Sequence, residues 1–178
     1  MKDRSGRGFA MSFRLSKDHV AAIGELVVNM NRIESVVVDL LSIFMETSIL
    51  NAVVTFYPVN FSSKINTLKA LLSLSMEDEH ERKTDPTITL LNKVSALGDF
   101  RNTIVHAYWT IEPDGTTKAV RFLTRDGKFS RTQTSLTSAE ILAKVADARE
   151  IEQLLRGLRD HLLEHQGKTA ETKVPPLP

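Results

Sequence analysis

The chain contains no cysteine, one tryptophan and two tyrosines, and its charges nearly cancel at a formal net of +1. Each shortage excludes something. Without cysteine there is no disulfide framework, no thiolate zinc site and no cysteine nucleophile, and the usage points toward a reducing, cytoplasmic setting. A net charge near zero removes the bulk attraction of a strongly basic nucleic-acid binder, so contact with a polyanion has to come from a local basic patch. No apolar run approaches the roughly 18 residues that a membrane span requires. The opening "MKDRSGRGFAMSF" is basic but lacks the apolar stretch of a secretory signal.

What is present is an ordinary globular composition: 42% hydrophobic and 25% charged over 178 residues, enough for one domain with a core of its own. Residues 1–15 read as a flexible N-terminus, 16–165 as a single domain, and the polar, Pro-ended stretch 166–178 as a disordered tail.

Periodicity divides the domain. Ser16 reads as a helix N-cap. Ile23, Leu26, Met30, Ile33, Val37, Leu40 and Phe44 then alternate spacings of three and four, which predicts one long helix over about 16–48. So regular a seam calls for a partner helix, in this chain or in another. "NAVVTFYPVNF" is broken by Pro58 and reads as a short helical turn and a loop. Ser62 or Ser63 then caps a helix with Ile65, Leu68, Leu71 and Leu72 on one face, and "EDEHERKTD" reads as a charged loop. Pro86 suits the first turn of the next helix, which carries Leu90, Leu91, Val94, Leu97, Phe100 and Ile104. After Trp109 the period changes. "EPDG" and "RDGK" are turn signals around segments rich in Thr, Val and Phe, which predicts a three-stranded antiparallel meander over about 108–134. Thr137 and Glu140 form a T-x-x-E capping box ahead of a last helix over about 138–165. The fold class expected is mainly α: a bundle of four to five helices with a small β-meander inserted before the last.

The chemistry concentrates in "RNTIVHAYW", Arg101 to Trp109. At about 100° per residue, Asp99, Asn102 and His106 share one helix face, while Arg101 lies about 140° from His106 and shares a stripe with Tyr108 if the helix extends that far. A fixed cation, an amide, an imidazole and a phenol suit phosphodiester chemistry. Histidine moves a proton near neutrality. Arginine holds a phosphate and stabilises the charge that builds on it. Asn102 can orient the ring or a phosphate oxygen. With RNA the internal 2′-OH is the nucleophile, so no metal or cofactor is needed. The plainer reading is also open: a histidine is at home near a helix C-terminus, and Arg101 can pair with a carboxylate on a neighbouring helix.

"RNTIVHAY" resembles the signature of the HEPN superfamily, R-x4-H, and R-x4-H-x-Y is similar to HepT-type toxins of bacterial toxin–antitoxin pairs. The resemblance implies an all-helical bundle and a metal-independent ribonuclease, acting as a dimer whose protomers each bring one motif to a shared cleft. It implies that Arg101 and His106 are catalytic, with Asn102 in support. Tyr108 would match the tyrosine that a partner nucleotidyltransferase modifies with AMP. HepT-like chains run from the motif almost directly into a terminal helix; here a meander intervenes.

That meander is locally basic, with Lys118, Arg121, Arg125, Lys128 and Arg131 interleaved with Phe122 and Phe129. It can track an RNA backbone, or the cations can simply keep edge strands soluble. His161 and His165 stand i, i+4 without an evident third metal ligand. The function expected is a HEPN-type endoribonuclease, a homodimer, serving as a toxin or phage-defence component with an antitoxin or nucleotidyltransferase partner. The alternatives are a non-catalytic helical module for dimerisation or for nucleotide or RNA binding, and a regulatory partner of a nucleotidyltransferase.

Overall fold

The structure is a computed structural model that describes residues 15–74, 76, 84–125 and 127–171. The expected flexible N-terminus, most of the charged loop "EDEHERKTD" and the Pro-rich end of the tail lie outside the described residues.

Among the described residues five helices surround one core, with a three-stranded antiparallel sheet ahead of the last helix. Helix α1 spans Lys17–Phe44, and the Ser16 hydroxyl caps it by accepting the His19 N–H at 3.2 Å. It ends four residues short of the expected 48, because the chain reverses at Met45 and Glu46, the latter at a φ of 49°. Helix α2, Ile49–Phe56, is a full two turns rather than the single turn expected; Ser48 caps it, and Pro58 lies just past its end. Helix α3 spans Phe61–Leu74. Its cap is Asn60, whose Oδ1 accepts the Ser63 N–H at 2.9 Å, not Ser62 or Ser63.

Helix α4, Pro86–Val105, starts as Pro86 suggested, with Asp85 accepting the N–H groups of Thr87 and Ile88 at 2.7 and 2.9 Å. Strands β1 (Tyr108–Ile111), β2 (Thr117–Arg125) and β3 (Lys128–Ser135) form a meander in that order. Helix α5 spans Ser138–Glu171 and begins with the predicted box: Glu140 accepts the Thr137 N–H at 2.7 Å, and Thr137 accepts the Glu140 N–H at 3.2 Å. Those bonds from Thr137 hold the Glu140 carboxyl below the usual glutamate range. The helix runs past the expected end at 165, since the glycine at 167 costs only about 1 kcal/mol and good helix formers flank it.

Helix α1 is the hub, packed on α2, α3, α4 and, most extensively, α5. Its seam residues Leu26, Met30, Ile33, Val37 and Leu40 are buried. The partner the seam called for is therefore α5 of the same chain. The two run parallel: Glu25 pairs with Arg149, and fourteen residues on, Asp39 pairs with Arg159 at 3.2 Å. Helices α3 and α4 close tightly where Gly98 faces Phe61. A Cβ there would stand 2.7 Å from the ring, so the position admits no side chain without displacing it. No single helix among the described residues is long and apolar enough to cross a membrane.

Candidate active site at the end of helix α4

The end of α4 is fixed by a donor from the sheet. Trp109 folds back so that its Nε1–H donates to the Ile104 carbonyl at 3.2 Å, occupying one of the carbonyls that a helix C-terminus leaves free. The indole also meets the His19 ring edge-on at 6.2 Å. His19 Nε2 donates to the Leu136 carbonyl at 3.1 Å, tying the start of α1 to the approach to α5. Trp109 thus plugs the junction between bundle and meander.

With the helix ending at Val105, His106 is its C-cap (φ −101°, ψ 11°) and its backbone N–H reaches the Asn102 carbonyl at 3.3 Å. Its side chain is exposed. Asn102 is half-buried and Asp99 exposed, and helical geometry keeps both on the His106 side. Thr103 belongs to the same face. Its hydroxyl donates to the Asp99 carbonyl at 2.8 Å and accepts from Arg121 Nη1 on β2 at 3.2 Å. A cation from the sheet therefore stands beside the polar edge of the motif helix.

Arg101 leaves the helix elsewhere. It follows Val94 by seven residues and Leu97 by four, and so lies on the stripe those buried side chains share with Ile104. The residue is half-buried, and its Nε is shut off from water with no hydrogen-bond partner. A buried donor without an acceptor costs about 1–3 kcal/mol. Within one chain, then, Asp99, Asn102, Thr103, His106 and Arg121 gather on one side, and Arg101 waits on another. Tyr108 does not continue a helical stripe with Arg101, because the chain is already extended there as the first residue of β1.

The basic residues of the meander do not form one track. Registers Tyr108↔Val120 and Phe122↔Arg131 put Lys118 and Arg131 on the face with Tyr108, Phe122 and Phe129. Strand alternation puts Arg121 and Lys128 on the other, the face through which Ala119 joins the core, while the side chain of Arg125 lies outside the described residues. Lys118 is paired with Glu112 at 3.2 Å.

Other features involve residues outside the motif itself. A cavity of about 320 Å³ between α4 and α5 is lined by Lys93, Leu97, Phe100, Lys144, Ile151 and Leu154. Lys64 is buried on α3 and neutralised by Glu34 of α1, a pair with no signature in the sequence. His161 and His165 pack edge to face at 4.4 Å, and among the described residues no group of three or more His, Cys, Asp or Glu side chains converges as metal ligands.

No protein-family model, curated protein or solved structure matches the chain.

Proposed function

We propose that this protein is a metal-independent endoribonuclease of the HEPN type that works as a homodimer. Arg101 carries the reading. A half-buried guanidinium with no carboxylate paired to it among the described residues, held at the helix end that bears Asn102 and His106, can offer its outer N–H groups to the non-bridging oxygens of a phosphodiester, while its Nε stays buried. His106 takes the proton from the RNA 2′-OH, and the 2′-oxygen attacks the adjacent phosphorus. The bond to the 5′-oxygen breaks, that oxygen takes a proton from water, and His106 returns to solvent the proton it accepted. The products are a 2′,3′-cyclic phosphate and a 5′-OH. Arg101 stabilises the charge that develops on phosphorus, and Asn102 orients the ring or a phosphate oxygen.

The divergence of the two side chains supports a dimer. Arg101 and His106 of one chain diverge by about 140°, so a second motif across a two-fold axis is what completes a clamp. The seam of α1 is filled from within. The exposed apolar face formed by Leu50 and Val54 of α2 with its C-cap residue Tyr57 is the surface we assign to the second copy. Within this reading the protein acts as a toxin or defence component, with an antitoxin or nucleotidyltransferase as partner.

The test is cleavage of single-stranded RNA in EDTA. Base, cation and internal 2′-OH suffice, so cutting persists and leaves 2′,3′-cyclic phosphate ends. Activity abolished by EDTA and restored by magnesium would exclude the mechanism.

A further inference from the structure

In a sheet packed on a bundle, the inward face is apolar and the outward face polar. Here the face opposite Ala119 buries Val120 and Thr110 but also carries three exposed aromatic rings in mutual contact. Tyr108 meets Phe122 edge-on at 5.5 Å, and Phe122 stacks on Phe129 at 5.6 Å with 22° between planes. The rings are 63%, 48% and 68% exposed respectively, so the cluster is open to solvent. The register explains the grouping: Phe122 is two residues along β2 from Val120, the partner of Tyr108, and Thr124, next on that face, is the partner of Phe129. Strands β2 and β3 together carry five cations and no carboxylate. Two of those, Lys118 and Arg131, stand on the aromatic face, Arg131 donating to the neutral Gln133 amide oxygen at 3.1 Å.

Flat, exposed aromatic faces flanked by cations match one chemistry better than others. Unpaired bases stack on the rings whatever their identity, and the cations take the phosphates. We propose that the outer face of the meander is a stacking platform for single-stranded RNA, with Phe122 and Phe129 as its main surfaces and Tyr108 at its inner end. The choice of RNA rests on the ribonuclease reading. Tyr108 lies two residues beyond His106, a span of at most about 7 Å along the chain, so a strand stacked on the platform runs toward the histidine. Arg121, bonded to Thr103 from the opposite face of β2, holds sheet and motif helix in fixed relation. Duplex RNA has its bases stacked on one another and offers no free ring faces, so the platform selects unpaired strands.

The experiment uses the full chain carrying His106→Ala, which separates binding from cleavage. A single-stranded oligoribonucleotide of about ten residues with an internal 2-aminopurine is titrated in, and anisotropy and 2-aminopurine emission are read together. Phe122→Ala and Phe129→Ala are each expected to weaken binding roughly 5- to 150-fold and to abolish the emission quench, while Phe129→Trp keeps both. Phe129→Leu, which retains apolar bulk without a ring, is the control should either alanine variant melt early, and it is expected to bind as weakly as Phe129→Ala. Alanine and leucine variants that bind like the parent, or a duplex that binds as well as the single strand, would overturn the platform. So would a Phe129→Ala variant that loses a protein partner or its second copy while its RNA affinity is unchanged. Cleavage by the His106-containing parent is scored separately. A parent that binds through the platform and cuts nothing defeats the ribonuclease reading alone; one that cuts while the ring variants bind normally defeats the platform alone.

Discussion

Arg101 is where sequence, packing and proposed chemistry meet in one side chain. Its identity and spacing were legible, as were those of Asn102 and His106. Its direction was legible too, since it stands on the Val94–Leu97–Ile104 stripe, but an angle taken only against His106 hides that. The consequence is a stability cost. A half-buried guanidinium with an unsatisfied Nε–H sits where an apolar side chain would fit. Arg101→Met removes that donor and keeps most of the bulk. The variant is expected to melt at or above the parent, by about 2–12 °C if the full 1–3 kcal/mol is recovered, and to lose about 10²–10⁴ in cleavage rate. A thermal melt by circular dichroism checks it. A melt several degrees lower would mean that the guanidinium supports the fold.

At the scale of elements, local chemistry could be read wherever a cap or turn is built from neighbours in the chain. Ser16, Asp85 with Pro86, and the Thr137–Glu140 box all mark real starts. What was not legible depends on groups distant in sequence. The end of α4 relies on an indole that turns back onto Ile104, and the fate of Tyr108 depends on that end: three more helical residues would have placed it on a helix instead of on a sheet. The aromatic cluster was closer to hand. Read as a hairpin signal, "RDGK" pairs Arg125 with Lys128, as observed, and counting back from there sets Phe122 opposite Arg131 and Thr124 opposite Phe129. Taking the same residues as one interleaved basic stripe ignores that alternate side chains of a strand face opposite ways.

For the whole molecule, the seam of α1 does need a partner, but periodicity cannot say which helix supplies it. Helix α5 does so, in parallel and within the chain. The seam therefore does not argue for a dimer, which rests instead on the divergence of Arg101 from His106 and on the exposed α2 face. Light scattering at micromolar concentration is expected to give the mass of two chains, and Leu50→Asp with Val54→Asp to give one, with a loss of cleavage if the cleft is shared. A parent that scatters as a monomer would remove the composite site.

The central claim is that "RNTIVHAYW" is a catalytic helix end and not only a structural one. The most direct measurement is cleavage rate against melting temperature for His106→Ala and Arg101→Ala beside the parent. Loss of a positioned acid–base group or of a charge-stabilising donor is expected to cost about 10²–10⁴ in rate. Both variants should melt close to the parent, since His106 is exposed and Arg101 leaves a donor unmet. Variants that melt far below the parent, with any activity falling only in proportion to the folded fraction, would contradict the account.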